Sequence, residues 1–197
     1  MRQLLPRDGE AIYVARFLSE DESRAAFAEL HATLAWAQPQ LVLFGKRVAA
    51  PRLEAWYGDP EARYRYSGLG HEPLAWTPLL AALRDRVATA AGTTFNSVLA
   101  NLYRDGRDSN GWHSDDEPEL GSQPTIASLS LGAPRRFRFR RKDDHRATVE
   151  TLLLDGSLVL MRGRSQECWQ HTIPKERDVH EPRINLTFRT VAVRASR

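Results

Sequence analysis

His113 and Asp115, in the run Gly111-Trp112-His113-Ser114-Asp115-Asp116-Glu117, and His171, in Trp169-Gln170-His171, are the side chains whose types and spacing point first to chemistry. Two imidazoles and one carboxylate take three positions around an octahedral divalent metal and leave the others open for reactants. Residues i and i+2 of a strand share a face, so His113 and Asp115 address one ion together while Ser114 turns aside. The third ligand has to come from a distant segment. The apolar, turn-bounded stretch around His171 places that residue on a neighbouring strand. His31, His71, His145 and His180 have no carboxylate two residues on and are read as bystanders. A His-x-Asp spacing is common by chance, so a further feature has to decide.

That feature is the run Arg183-Ile184-Asn185-Leu186-Thr187-Phe188-Arg189. Its strict alternation puts Arg183, Asn185, Thr187 and Arg189 on one face and Ile184, Leu186 and Phe188 on the other. A guanidinium grips a carboxylate through two parallel hydrogen bonds, so arginines at both ends of the polar face suit a dicarboxylate. A strand of this length spans about 20 Å, and the two arginines therefore serve different ends of the ligand. Upstream, Phe95 to Tyr103 projects Leu99, Asn101 and Tyr103 to one face, adding an amide and a phenol.

Taken in order, Asn-Leu-Tyr-Arg-Asp from Asn101, Trp-His-Ser-Asp-Asp-Glu-Pro from Trp112, Ile-Ala-Ser-Leu-Ser-Leu-Gly from Ile126, Trp-Gln-His from Trp169 and Arg-Ile-Asn-Leu-Thr-Phe-Arg from Arg183 resemble the AlkB family of iron(II) and 2-oxoglutarate dependent dioxygenases. The resemblance runs from about Pro51 to the last strand. The style of Pro51 to Gly58 and of His113 to Pro118 is that of a mammalian member preferring single-stranded nucleic acid. It implies that His113, Asp115 and His171 bind Fe(II) and that Asn101, Tyr103, Arg183, Asn185 and Arg189 bind 2-oxoglutarate, with dioxygen as second cosubstrate. It also implies a double-stranded β-helix, or jelly roll, and oxidative removal of methyl groups from ring nitrogens of 1-methyladenine and 3-methylcytosine in alkylated DNA or RNA, releasing formaldehyde. Other members of the wider fold act on proteins or small molecules, and an inactive nucleic-acid binding module is a further alternative; no substitution at a metal or cosubstrate position marks one here.

A base methylated on its pairing nitrogen is cationic, and Asp116 and Glu117 are placed to offer it negative charge. An acidic turn before Pro118 accounts for Asp116 nearly as well and for Glu117 less well, and the resemblance favours Glu117. Tyr66 and Ser67 fall in the family's base-pocket segment, where an aromatic ring stacks on an extruded base. The apolar run Leu41 to Phe44 before Gly45-Lys46-Arg47 reads as a hairpin tip with Phe44 as a wedge, or as an ordinary core strand; a duplex-acting member has a similar Phe-Gly-Lys tip. In Arg135 to Lys142, Phe137 and Phe139 face inward while Arg136, Arg138 and Arg140 form an outward basic row; a charged face that blunts a strand edge is one reading, and phosphate contact is preferred because arginines so dense repel one another unless neutralised. Lys46, Arg47 and Arg52 make a second basic patch.

The elements that must position these groups are legible in outline. Ser19 with Glu22 forms a capping box for a helix through about Trp36 with Phe27, Leu30 and Leu34 on its packing side. Thr77-Pro78 starts a second helix, with Leu79, Leu80, Leu83, Val87 and Ala91 as its apolar stripe, and Gly92 stops it. Beyond residue 92 the texture changes to short strands, and Leu152 to Leu160 reads as a hairpin turning at Asp155-Gly156. The reading is a mostly β fold with flanking α-helices in a single domain, 1–197. Residues 1–92 supply helices and a nucleotide-recognition segment, and residues 93–197 the jelly-roll catalytic core. At 197 residues and 42% hydrophobic content one core is the expectation. Lys+Arg number 28 against 25 Asp+Glu, with a pI near 9.3, a small excess that attracts phosphate only where it clusters. No long apolar run or leader is read at Met1 to Pro6, so no membrane is expected, and one cysteine, Cys168, fits a reducing compartment. The expectation is a cytoplasmic monomer, nucleoid-associated if bacterial.

Overall fold

In the computed structural model, which describes residues 1–43, 45–62, 64–66 and 69–192, the chain opens with β1 (Arg2–Gln3), β2 (Glu10–Val14) and helix α1 (Glu20–Thr33). Two small hairpins follow, β3 (Gln40–Leu43) with β4 (Lys46–Ala49) and, after β5 (Leu53–Gly58), β6 (Tyr64–Tyr66) with β7 (Leu69–His71). Helix α2 (Pro78–Ala91) leads into β8 (Ser97–Tyr103), β9 (Asn110–His113), β10 (Ile126–Gly132), β11 (Arg135–Arg141), β12 (Thr148–Leu153) and β13 (Ser157–Arg162). A single turn of helix, α3 (Ser165–Cys168), precedes β14 (Trp169–Ile173) and the last strand, β15 (Arg183–Arg189). A seven-stranded major sheet runs β1-β2-β13-β10-β15-β8-β5 and a four-stranded minor sheet runs β12-β11-β14-β9.

Both helices form where their caps require. Ser19 accepts from the Glu22 backbone while the Glu22 carboxylate accepts from Ser19 N–H, the reciprocal box that offsets unpaired amides at a helix start and is worth about 1 kcal/mol. This helix stops at Thr33, short of Trp36, and buries Ser23, Ala26 and Leu30. In α2, Thr77 caps, Pro78 occupies the first turn and Gly92, at φ 62°, ends it.

Two apolar layers result. One lies between the helices and the outer face of the major sheet, from Leu30, Leu80 and Val87 to Ala100, Leu129, Leu186 and Phe188. The other, with Tyr103, Ile126, Phe137, Phe139, Val159 and Trp169, fills the space between the two sheets. No helix among the described residues is long and apolar enough to cross a membrane.

Two expectations are revised. Strands β1, β2 and β5 come from before residue 93 yet are built into the major sheet, so the catalytic core draws on both parts of the chain. Asp155-Gly156 is not a hairpin turn, because β12 belongs to the minor sheet and β13 to the major one. The Asp155 carboxylate instead accepts hydrogen bonds from Ser23 of α1 and from the Gly132 amide, tying helix, strand and crossover together. Apolar runs on either side of Asp-Gly specify a turn but not which strand each arm pairs with.

Candidate metal centre and cosubstrate slot

His113 closes β9, and His171 stands directly across from it in β14, with ring centroids 4.2 Å apart. Asp115 lies beyond the strand, in irregular backbone, so the shared-face argument for a strand does not by itself orient it. Gln166 of α3 does: its buried Oε1 accepts from the Asp115 amide at 2.9 Å. Ser114 turns the other way and donates to the Trp169 carbonyl at 2.9 Å. One ligating atom from each of His113, Asp115 and His171 then lies within 4.8 Å of the others, and His171 Nε2 is 3.7 Å from Asp115 Oδ2. Two imidazoles and a carboxylate converging in this way suit Fe(II) with open positions.

Electrostatics keep these groups in their ligating forms. Burial, with the neighbouring His113 adding to it, pulls the His171 pKa down to about 3, so its imidazole is neutral near pH 7. Burial pushes Asp115 upward, but Arg189, His171 and His113 outweigh that and hold it below the usual carboxylate range, hence ionised. Arg189 donates directly to Asp115 Oδ1. His113 Nδ1 lies 2.8 Å from the Gly111 carbonyl, which can only accept; Nδ1 therefore carries the proton and Nε2 keeps its lone pair.

The cosubstrate residues meet across strands β8, β15 and β10. Arg183 faces Tyr103, and Asn185 faces Asn101 on one side and Ser130 on the other. Both faces of β15 are buried: Ile184, Leu186 and Phe188 pack against the helical layer, and Arg183, Asn185 and Thr187, at 1%, 7% and 7% exposure, are enclosed between the sheets. Arg183 Nη2 donates to Ser130 Oγ at 2.8 Å and to Asn185 Oδ1 at 3.0 Å. Its Nε and Nη1 are buried with no hydrogen-bond partner among the described residues. Burial pulls its pKa down to about 10, opposed by Tyr103 and assisted by Arg135. Leaving a buried charged donor unmet costs more than the roughly 1–3 kcal/mol of a neutral one, and a ligand carboxylate is the kind of acceptor that relieves it. The phenol of Tyr103 is pushed upward by burial, against the pull of Arg183, Arg52 and Arg135, and so stays a hydroxyl donor.

Several positioning residues escape a linear reading. Arg52, assigned above to a phosphate patch, is half-buried; its Nε donates to Asn101 Oδ1 at 3.0 Å and its Nη2 pairs with Glu54 at 2.6 Å, fixing the carbonyl end of the amide. Ser128 Oγ donates to Asn185 Oδ1 at 2.7 Å. Ser128 and Ser130 alternate with apolar residues, a signal that was available. Arg135 and Arg141 sit on the same inward register as Phe137 and Phe139 and are buried, which that alternation also implied.

The expected substrate residues are dispersed. Asp116 is exposed and pairs with Lys142 at 2.8 Å. Glu117 is half-buried and its Oε2 has no hydrogen-bond partner among the described residues. Arg136 and Arg138 lie on the face of β11 away from His171. There, Arg138 donates to Glu150, while Arg136 lies 3.5 Å from Glu176 and 4.0 Å from Glu150. The anions that relieve the repulsion inferred from sequence are thus carboxylates of the chain itself. Tyr66 ends β6; Phe44 and Ser67 lie outside the described residues.

Comparison with known proteins gives a consistent result. The family model for the 2OG-Fe(II) oxygenase superfamily matches residues 10–189. Alpha-ketoglutarate-dependent dioxygenase alkB homolog 3 of Bos taurus is 44% identical over 184 residues, covering 89% of this chain and 64% of that protein. The human protein of the same name is 49% identical over 150 residues, covering 72% of this chain and 52% of its own length. The chain thus spans between about half and two-thirds of these relatives. The DNA oxidative demethylase ALKBH2 of Mus musculus is 44% identical over 162 residues, covering 79% of this chain and 68% of that protein. Among solved structures, that of OsALKBH1 superimposes with a TM-score of 0.67 at 16% identity, over 95% of this chain and 100% of that one, a likeness of fold.

Proposed function

The chain belongs to the AlkB group of the 2OG-Fe(II) oxygenase superfamily, and from that premise we propose that it repairs alkylated DNA, with RNA as a second substrate, by oxidative demethylation of 1-methyladenine- and 3-methylcytosine-type bases. The ferrous ion and 2-oxoglutarate, when bound, supply the oxidising chemistry from dioxygen. The chain's residues hold and orient. His113, Asp115 and His171 would hold the metal through two imidazoles and a carboxylate. Arg183 would receive a carboxylate of the cosubstrate, with Tyr103 and Asn101 beside it and Asn185 fixing its angle. Arg189, bonded to Asp115, closes the end of the slot nearest the metal.

The observation that carries the substrate reading is Glu117, two residues beyond Asp115, with a buried carboxylate oxygen left without a partner among the described residues. A base methylated on its pairing nitrogen brings the positive charge that such an oxygen lacks. The same methyl abolishes pairing and so lowers the cost of extruding the base. Tyr66, Ser67 and Phe44 complete this reading as base-pocket and wedge residues, and Arg136 and Arg138 as a peripheral phosphate row. A single cysteine, Cys168, with a half-buried free thiol, fits a reducing compartment such as the cytoplasm.

Incubation with Fe(II), 2-oxoglutarate and an oligonucleotide carrying 1-methyladenine is expected to release formaldehyde, and the unmethylated oligonucleotide none. Oligonucleotide binding without formaldehyde release would identify a binding module, and 2-oxoglutarate turnover that ignores the methylated base a hydroxylase of some other substrate. His171→Ala is expected to abolish release while oligonucleotide affinity persists; retained activity removes His171 from the ligand set.

A further inference from the structure

Asn110 stands at the start of β9, three residues before His113. In a regular strand those two side chains point to opposite faces. Here they do not, because the pairing with β14 is irregular: His113 is level with His171 and Asn110 with Ile173, so β9 uses one residue more than its partner. Such bulges re-aim a side chain, and this one brings the Asn110 amide nitrogen to 3.2 Å from His113 Nε2. The backbone carbonyl of Asn110 is held independently, accepting from Thr172 Oγ1 at 2.6 Å.

The direction of this bond follows from its neighbours. Nδ1 of His113 is committed as a donor to the Gly111 carbonyl, so Nε2 presents a lone pair. An amide oxygen would repel it, and the amide N–H donates to it. The lone pair that Asn110 covers is the one His113 must turn toward the metal.

We propose that Asn110 is a placeholder in the metal centre: its amide hydrogen-bonds to His113 Nε2 and has to release that atom for a divalent ion to bind there. Asn110 thereby keeps the unloaded imidazole in its ligating rotamer and tautomer, and it lowers metal affinity by the worth of the bond broken. This rests on the metal reading above and adds a residue outside the proposed ligand set.

The test is calorimetric titration of Co(II) into the metal-free full chain, without cosubstrate, for the wild type, Asn110→Leu and Asn110→Ala. Both variants are expected to bind Co(II) about two- to tenfold tighter, the worth of one neutral hydrogen bond. Thermal melts should show each variant less stable than the wild type when metal-free and level with it when Co(II)-loaded. In long-range ¹H–¹⁵N spectra of the metal-free proteins, the Nε2 resonance of one histidine should move on substitution. Unchanged or weaker Co(II) binding in a folded variant overturns the placeholder role and leaves the metal centre standing. A wild type that takes up no Co(II) overturns both.

Discussion

Two buried guanidinium groups lie against one phenol ring: Arg135 at 5.5 Å and Arg183 at 5.2 Å from the centre of the Tyr103 ring. Their surroundings differ. Arg135 donates to Glu176 at 3.0 Å and to the carbonyls of Asp105, Asp108 and Pro174 at 3.2, 2.9 and 2.7 Å, so every nitrogen is engaged. These partners belong to the loops that leave β8 and approach β15, which run so close that a Cβ on Gly106 would stand 1.7 Å from the Glu176 carbonyl oxygen. Arg183 has a hydroxyl and an amide oxygen for one nitrogen and no partner among the described residues for the other two. A buried charge with its full set of acceptors is part of the scaffold, whereas one with unmet donors is arranged for an anion that arrives from outside. The contrast distinguishes a fully paired arginine from one with unmet donors within one cluster, which residue type does not.

Exchanging both arginines for methionine tests the contrast most severely. Arg183→Met is expected to raise the 2-oxoglutarate concentration needed for half-maximal formaldehyde release by roughly 10²- to 10⁴-fold, the worth of two charge-assisted hydrogen bonds. Its melting temperature should stay level or rise, since an incompletely paired buried charge has been removed. Arg135→Met should do the reverse: a loss of about 3–5 kcal/mol from leaving Glu176 and three carbonyls unmet, seen as a melting point lower by roughly 6–20 °C, with a far smaller change in cosubstrate dependence. Equal loss of stability in the two variants would erase the distinction.

Smaller perturbations sharpen it. Arg136→Gln with Arg138→Gln probes exposed arginines whose partners are carboxylates of the chain. Two full phosphate contacts on a single strand would change the slope of log affinity against log salt by about 1.4. Competition from Glu150 and Glu176 sets the expected change below about 1 in an oligonucleotide salt titration. Glu22, at the start of α1, is a solvent-exposed counterpart, bonded to Arg86 at 2.7 Å with its pKa held down to about 2 by Arg86 first and the Ser19 cap second. Because the folded pKa lies below the unfolded one, its contribution is present above about pH 4.5 and disappears as the pH falls toward 2. Glu22→Gln should therefore melt slightly below the wild type at pH 7, with the gap closing through that window.

Much of the site was legible from local pattern. Alternation in Arg183 to Arg189 located β15 and its two faces, the capping box at Ser19 and Glu22 located α1, and the ordered motifs singled out His113, Asp115 and His171. Local pattern did not reveal that the polar face of β15 is as buried as the apolar one, because burial depends on the minor sheet closing over it. Nor did it reveal Arg52 as the partner of Asn101, Gln166 as the residue orienting Asp115, or the bulge that turns Asn110 toward His113.

Side-chain type and the two-residue period of a strand are properties of neighbouring residues, so the chain's own order of amino acids determined which groups could act and which way each strand would present them. Which strands adjoin, which charges neutralise one another and which are left with unmet hydrogen bonds depend on pairings between segments far apart in the chain. The register of β8, β15 and β10, the placement of β12 and β13 in different sheets, and the unequal fates of Arg135 and Arg183 were decided only when those segments packed together, because burial and partner geometry exist only in the folded state.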